Sequence, residues 1–479
     1  MPTTFRCCLP CILTGIHLLT SVCHAQTEPR NPNTDWFRDA GYGVFVHYLN
    51  ALQNDDAAIN SLGRSTSWDE CVREFDTERF ATTMEEAGAS YVIFTMMQVS
   101  QHVIAPNETY NQITGYLPGE ACSTRDLVED LSTSLHKRNI PLMLYWTGDG
   151  PRGDQKAGNA FGCQSQVTTE FVQRWADVAA EYGRRYGDKV AGWWVDGCYR
   201  SIGYDEQKLG ILAAALKTGN PRRIVAFNRG IDPQVSSYSR HEDYTCGEQD
   251  RFFDMPAHRA IDGEQWHLLS YLGNWWGQPG CRHKKQELGE YVFDVNQRGG
   301  VVSIDVLLYR DGSLDRSQLE VLKAVRHELQ TGKIRPSVPI GNLAYRKQTQ
   351  LLSLDGSHEL AVNAGIHLPR LGVDGHLETA ALAGGQWPWT YQVDLVDTRE
   401  VGRIKVTFGS GYATDLELCV SVDGIQWTVV AQGHDLTGAP FESVFEPTLA
   451  RHIRVRALKP NGPNQPGTQM SIAELEVYE

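Results

Sequence analysis

Past its first 25 residues this sequence has no pair of cysteines in the CxxC spacing, no low-complexity tract and no Gly-rich loop after its first apolar strand. The first absence removes support for a zinc ribbon, the second for a disordered scaffold, and the third for a dinucleotide-binding sheet. Basic residues are also in the minority: 44 Lys and Arg stand against 58 Asp and Glu, a formal net charge of −14. That balance argues against nucleic acid and against an anionic membrane surface as partners, because both need a basic face. Long apolar runs are missing as well. The one candidate, Cys7–Cys23, is broken by Thr14, His17, Thr20 and Ser21 and is too short to span a bilayer.

What is present is length and aromatic content. A chain of 479 residues is too long for one compact domain and suits a barrel plus one further module. Twelve Trp and nineteen Tyr suit neutral sugars, which are gripped by hydrogen bonds and aromatic faces, although large enzyme cores hold many such residues too. The N-terminus reads as an export signal over residues 1–25, with Arg6 as its positive start and Ala25 as a small residue for cleavage before Gln26. A buried N-terminal helix is the alternative. Export places the mature chain in the periplasm or outside the cell, where disulfides form. Seven cysteines then remain (Cys71, Cys122, Cys163, Cys198, Cys246, Cys281 and Cys419), predicting one or two disulfides and at least one free thiol.

From about Asp35 to Leu329, short apolar runs alternate with amphipathic helical patterns. Predicted strands are Tyr42–His47, Tyr91–Met96, Pro141–Trp146, Val190–Val195, Arg223–Phe227 and Val301–Leu307. Helices are predicted behind Thr168/Thr169, with Phe171, Val172, Trp175, Val178, Ala179 and Tyr182 on one stripe, and behind Ser123 or Thr124, with Leu127, Val128, Leu131 and Leu135. Leu319, Leu322, Val325 and Leu329 mark the last helix. The rhythm predicts an α/β fold, a (β/α)-barrel over residues 35–331, with an open sheet as the alternative. Gly332, Pro336, Pro339 and Gly341 break the pattern. Residues 342–479 then alternate as strands of an all-β sandwich, Gly402–Phe408, Asp415–Val422, Gln426–Ala431 and His452–Arg456 being the clearest. Asp423-Gly424 signals a hairpin between two of them.

A barrel's reactive groups belong at the C-terminal ends of its strands. Those ends give His47, the segment Met97–His102, Trp146–Asp149, Asp196 and Asn228–Arg229. Asp196 ends the apolar run that begins at Val190, and Gly197 lets the chain turn away from it. A strand-end Asp can also cap the next helix, but Trp193 and Trp194 place aromatic surface beside this one.

In order along the chain, Ala40-Gly41-Tyr42-Gly43-Val44-Phe45-Val46-His47, Phe75–Thr95, Trp193-Trp194-Val195-Asp196-Gly197, Phe227-Asn228-Arg229-Gly230, Asp243–Gln249, Glu264…Trp275-Trp276-Gly277 and Gly299…Gly312 resemble glycoside hydrolase family 29, the α-L-fucosidases. The resemblance implies an exo-acting retaining hydrolase with Asp196 as nucleophile. It implies Glu248 as acid/base, helped by burial against Phe252 and Phe253, with Glu264 in reserve. His47, Glu70, Trp146, Arg229 and Trp276 become candidates for sugar contacts, with His47, Trp146 and Trp276 equally readable as packing residues. One departure is plain. Family members commonly carry Lys-His-His-Asp-Gly-Phe after the second strand, whereas Thr95 here is followed by Met96-Met97-Gln98-Val99-Ser100-Gln101-His102, leaving Gln98 or His102 to take the place of the His pair. A carbohydrate-binding protein with a catalytically altered barrel is therefore the competing reading.

In the second part, Asn342-Leu343-Ala344, Val373-Asp374-Gly375, Trp387…Tyr391, Gly411-Tyr412-Ala413, Ser421-Val422-Asp423-Gly424…Trp427 and Ile472…Glu474…Tyr478 resemble the discoidin (coagulation factor 5/8 type C) modules. This resemblance implies carbohydrate binding and a structural Ca²⁺ in which Asp374 takes part; the bland alternative for Asp374 is a turn residue. No cofactor is expected for catalysis. The expected partner is an oligosaccharide or polysaccharide.

Overall fold

The structure, a computed structural model, describes residues 28–333, 340–360, 368–382, 389–459 and 470–479. The expected signal peptide (1–25), Trp387 and half of the 331–342 break lie outside the described residues.

The apolar runs of the first part form strands buried on both faces, as parallel strands under a layer of helices must be. In chain order they are β1 (Tyr42–Val46), β2 (Val92–Thr95), β3 (Leu142–Thr147), β4 (Gly192–Asp196), β5 (Ile224–Phe227), the short hairpin β6 (Ala260–Ile261) and β7 (Glu264–Gln265), β8 (His267–Tyr271) and β9 (Val301–Val306). All strands but the hairpin join one parallel sheet in the order β5-β4-β3-β2-β1-β9-β8. The sheet curls, and the gap between β5 and β8 is spanned by residues 243–249. Asp243 N donates to Val225 O at 2.8 Å on one side; Thr245 N donates to Gln265 O at 3.0 Å and Gln249 N to Leu269 O at 2.9 Å on the other. The barrel wall is thus closed by an irregular segment in place of a regular strand, and that segment carries Glu248.

β8 has no counterpart among the predicted strands. Its sequence, His267-Leu268-Leu269-Ser270-Tyr271, opens with a histidine, and polar groups surround it. Both ring nitrogens of His267 are occupied, 2.9 Å from Thr245 O and 2.8 Å from Ser303 Oγ. A buried polar side chain so paired fits inside the barrel, though it breaks the apolar pattern.

Residues alternate between the barrel interior and the helix layer with the period of two that strands impose. Phe45, Tyr145, Trp194 and Leu269 pack in an inner cluster, while Val44, Trp146, Trp193, Val195 and Leu268 face the helices. The helix Thr169–Tyr186 buries Phe171, Val172, Trp175, Val178, Ala179 and Tyr182 against the latter set, and Thr168 caps it by accepting the N–H of Phe171. For the helix Leu127–His136 the cap is Asp126, which accepts from Glu129 N; neither Ser123 nor Thr124 does so.

The second part is antiparallel throughout: β10 (Gln348–Ser353), β11 (Ala381–Leu382), β12 (Trp389–Phe408), β13 (Asp415–Ser421), β14 (Thr428–Gly433), β15 (Phe441–Lys459) and β16 (Ser471–Tyr478). The long strands β12 and β15 change register between Asp394 and Arg399 and again near Arg403. Their outer halves pair with different neighbours, β10 and β13 in one layer and β16 in the other, which makes the sandwich. Trp389, Tyr391, Ile404, Val406, Leu418, Ile453 and Leu475 fill its core. β13 and β14 pair around Asp423-Gly424, as the hairpin signal predicts, and the Asp423 carboxylate accepts the N–H groups of Ile425 and Gln426.

Buried charges join the two parts. Lys347 Nζ lies 2.9 Å from Asp254 Oδ1 with both side chains almost wholly enclosed, and Arg399 donates to Ala260 O at 3.1 Å. The expected disulfides are not formed. All seven cysteines from Cys71 onward are free thiols, most of them buried on separate core elements. Asp374 acts as a turn residue, accepting from His376 N and Thr379 Oγ1. Among the described residues no group of three His, Cys, Asp or Glu side chains could hold a metal ion, and no helix is long and apolar enough to cross a membrane.

Candidate active site

At the C-terminal mouth of the barrel lies a cavity of about 300 Å³, lined by Phe45, His47, Gln98, Tyr145, Trp194, Asp196, Glu248, Leu269, Trp275 and Trp276 among others. Its position follows from strand parity. Asp196 is last in β4 and shares the inner face with Trp194; Thr147 and Tyr145 of β3 are in register with Asp196 and Trp194. The chain then leaves sharply at Gly197, whose φ of +66° favours glycine. A Cβ there would also come within 2.7 Å of the Asp149 carboxylate.

Four neutral groups surround the Asp196 carboxylate. Tyr145 Oη donates to Oδ2 at 2.7 Å, and Gln98 Nε2 stands 3.5 Å from the same oxygen. Tyr199 Oη donates to Oδ1 at 3.0 Å and Asn228 Nδ2 at 2.8 Å. Burial, and next the charge of Asp196, push both phenols far above their ordinary range, so they remain donors at any working pH. Among the described residues no Arg or Lys lines the cavity. The carboxylate is held in one orientation by neutral donors alone.

Asn228 does a second thing: the same Nδ2 donates to Glu248 Oε2 at 2.6 Å. One amide nitrogen therefore bridges the two acids and ties their nearest oxygens within the combined length of two hydrogen bonds. Burial, reinforced by the Asp196 charge, raises Glu248 to about 7, while the Asn228 hydrogen bond and His47 pull the other way. Phe252 and Phe253 do not provide that burial. Phe252 packs on His283 and Tyr291, and Phe253 lies beneath the Arg346 guanidinium. The walls around Glu248 are instead those of the cavity itself.

The loop leading into this segment rests on another acid. Glu242 is buried and accepts the N–H groups of Tyr238, Ser239 and Phe227, standing in for strand partners that the irregular wall lacks. Across the cavity, His47 Nδ1 lies 2.8 Å from Asp305 Oδ1, and Gly277 N donates to Asp305 Oδ2 at 2.6 Å. Asp305 is fully enclosed in β9. It fixes the imidazole ring so that the other nitrogen remains for the cavity.

Of the residues singled out from sequence, the structure brings Asp196, Glu248, His47, Gln98 and Trp276 to this one cavity. It does not bring Glu70, Trp146, Arg229 or Glu264. Glu70 is exposed on the short helix Trp68–Arg73. Trp146 has the wrong parity: it points outward and stacks on Trp175, with ring centroids 4.6 Å apart. Arg229 is exposed, donating to Ser236 Oγ at 2.8 Å and facing Asp232 at 3.3 Å. Glu264 sits before β8, at the opposite end of the barrel, buried and ion-paired with Arg30. His102 packs on Trp68 and does not line the cavity.

Sequence reasoning missed Tyr145, Tyr199 and Asp305, and it reached Asn228 only as a strand-end residue without a role. Tyr145, beside Trp146, must point the other way from it, but which of the two faces the cavity is set by the register of β3 on β4. Asn228 lay next to the chosen Arg229.

A family model described as alpha-L-fucosidase matches residues 67–331, and one described as F5/8 type C domain matches residues 363–475. Among curated proteins none matches the chain. Similar solved structures include a GH29 fucosidase of Ruminococcus gnavus in complex with fucose, 15% identical over 95% of this chain and 96% of that one, with a TM-score of 0.44. They also include two chitosan-binding modules from a chitosanase/glucanase of Paenibacillus sp. IK-5. Module 2, in complex with chitotriose, is 27% identical over 29% of this chain and 100% of that one, with a TM-score of 0.26. Module 1 is 25% identical over 29% of this chain and 98% of that one, with a TM-score of 0.25.

Proposed function

The chain belongs to the α-L-fucosidase family, and from that premise we propose that it is an exo-acting, retaining glycoside hydrolase that releases α-L-fucose or a closely related sugar from glycan ends. The observation that carries this reading is the Asn228 amide held between Asp196 and Glu248. Bonds of 2.8 and 2.6 Å from one nitrogen keep the nearest carboxylate oxygens closer than the roughly 6.5–9.5 Å an inverting pair needs to admit water, and within range of the roughly 5–5.5 Å of a retaining pair.

In this mechanism Asp196 attacks the anomeric carbon while Glu248, raised to about 7 by burial and the Asp196 charge and so carrying a proton in a substantial fraction of molecules at neutral pH, gives that proton to the departing oxygen. The bond from sugar to leaving oxygen breaks and a glycosyl ester to Asp196 forms. Ester formation removes the Asp196 charge, one of the causes that raise Glu248, so Glu248 stays in the ionised form that the second step requires. It then takes a proton from the water that opens the ester. Trp194 and Trp276 supply aromatic wall for one sugar ring, and His47 and Gln98 supply polar atoms for its hydroxyls.

The test is hydrolysis of a panel of p-nitrophenyl glycosides, with the anomer of the first-formed sugar followed by NMR. Release from the α-L-fucoside with α-fucose appearing first supports the reading. First appearance of β-fucose removes retention. Binding of fucose without release from any member of the panel favours a carbohydrate-binding barrel.

A further inference from the structure

Where the barrel meets the sandwich there is a second hollow of about 450 Å³, lined by the loop after β5, by the residues following Glu248 and by the sandwich segments around Arg346 and Arg370. Its position is tied to the catalytic cavity. Glu248 lines the cavity, the next two residues line the hollow, and Asp232 N donates to Glu248 O at 3.1 Å. One backbone segment separates the two spaces.

Two features make this hollow unlike an ordinary cleft between domains. Gln234 and Gln249 line it at 7% and 2% exposure, and in each the buried amide nitrogen has no hydrogen-bond partner among the described residues. Buried amides are rarely left so, because a donor cut off from water and from any partner loses a hydrogen bond outright. The second feature is charge. Arg251, Arg346 and Arg370 all line the hollow, and none forms an ion pair among the described residues. Arg346 Nε is buried without a partner, its guanidinium lying over the rings of Phe253, Tyr291 and Tyr345 at 5.4–5.7 Å. The neighbouring charges are engaged elsewhere: Lys347 with Asp254, Asp232 with Arg229, and Asp250 with Tyr271 and Arg282. In a chain of net charge −14, three unpaired guanidiniums around one hollow form a local reversal of sign.

We propose that this hollow is a second glycan subsite, built jointly by barrel and sandwich, which takes an anionic sugar residue, sulfated or carboxylated, on the leaving-group side of the substrate. The proposal rests on the hydrolase reading, since an exo-acting enzyme holds only the terminal sugar in its cavity and the rest of the glycan must leave over the rim. The guanidiniums pair with sulfate or carboxylate oxygens, the amides with sugar hydroxyls, and Ile231, Pro233 and Leu368 offer apolar wall to the ring faces.

Calorimetric titration of the full-length Asp196→Asn chain, where turnover is removed, tests the subsite directly. The probes are a sulfated α-L-fucotetrasaccharide, its desulfated counterpart and a fucosylated tetrasaccharide carrying glucuronate. At low salt at least one anionic probe is expected to bind about tenfold tighter than the neutral one, an advantage that shrinks as NaCl screens it. Whichever of the two anionic probes gains identifies sulfate or carboxylate as the ligand. Adding Arg251→Gln and Arg370→Gln, both at exposed positions where no packed side chain is removed, should abolish the advantage. Equal binding of all three probes, or an advantage that survives the double substitution, overturns the proposal. In the otherwise native chain the same pair of substitutions should leave p-nitrophenyl α-L-fucoside hydrolysis unchanged. Should the native chain fail to cleave that fucoside, the hydrolase reading falls, while the titration still decides whether the hollow binds anionic glycans.

Discussion

Two acids at the barrel mouth, Asp196 and Glu248, are held differently from two at the other end, Glu264 and Asp243; the neighbouring mouth acid Asp149 pairs with Arg152 and falls with the latter. At the end where the strands begin, acids meet cations: Glu264 is paired with Arg30, and Asp243 faces Lys217 at 2.6 Å while accepting from Asn31. At the mouth, Asp196 and Glu248 are held only by neutral donors, two phenols and two amides. A cation beside an acid fixes it as an anion and spends its charge in the pair. Neutral donors fix its direction and leave the charge, or the proton, for chemistry. On the proposed reading the same residue type serves the fold at one end and a reaction at the other, and Glu264 and Glu248, close together in sequence, fall on opposite sides of that division.

The sharpest way to break the comparison is Asp196→Asn. An amide keeps the size and most hydrogen bonds but cannot form the glycosyl ester, so kcat on an aryl α-L-fucoside should fall by about 10⁴-fold or more with the circular dichroism spectrum unchanged. Activity within tenfold of the native chain would show that the mouth's acids do not differ in kind from those below.

Next in size is Glu248→Gln, expected to lower kcat by about 10²–10⁴-fold on substrates with a poor leaving group and by much less on dinitrophenyl or fluoride leaving groups, which need no proton. Its pH signature is separate. Because burial and the Asp196 charge raise Glu248 to about 7, the acid form is present below that pH and lost above it. The native chain should then show kcat/KM falling as pH rises through about 7, and the substitution should flatten that limb. An alkaline limb that persists in the variant would assign it to another group.

How much of this division was legible beforehand is instructive. The parallel order of six predicted strands, the change to β-sandwich and the placing of Asp196 at a strand end all come from patterns the backbone itself imposes: apolar runs for buried strands, and a polar residue where the run stops. Trp146 and Tyr145 show where such reading ends. Choosing between them needs the parity of β3 relative to β4, which hydrogen-bond register sets and local sequence does not state. Glu248 and Glu264 show a second limit. Both follow aromatic-rich or polar loops, and only the path of the irregular wall segment decides that one faces the cavity and the other Arg30. β8 was hidden for a third reason: His267 and Ser270 interrupt its apolar run, their polarity satisfied by partners remote in sequence.

A middle-sized effect is expected from Asn228→Ala. It removes the one donor shared by both acids, leaving Tyr145, Gln98 and Tyr199 on Asp196 and taking from Glu248 the hydrogen bond that opposes its raised pKa. The alkaline limb of kcat/KM should shift upward while kcat falls by about 10–10²-fold, as expected when a positioning contact is lost and the reacting groups remain. A purely structural role would lower thermal stability and leave the limb where it was.

The smallest effect on catalysis, and the one that completes the contrast, belongs to the other end. Arg30→Met leaves the buried Glu264 carboxylate without its cation, and since Arg30 is itself 40% exposed the cost is put at about 1–3 kcal/mol of stability. That loss should appear as a lower denaturation midpoint, with kcat and KM of the folded protein unchanged. Arg30 and Glu264 stand at the strand starts, a barrel's length from the mouth, and among the described residues no hydrogen bond joins either of them to Asp196 or Glu248. If kcat falls along with stability, the two ends are coupled through the irregular wall segment, and the partition between acids that hold the fold and acids that react would have to be redrawn around Asp243 and Glu242, the residues where that segment begins.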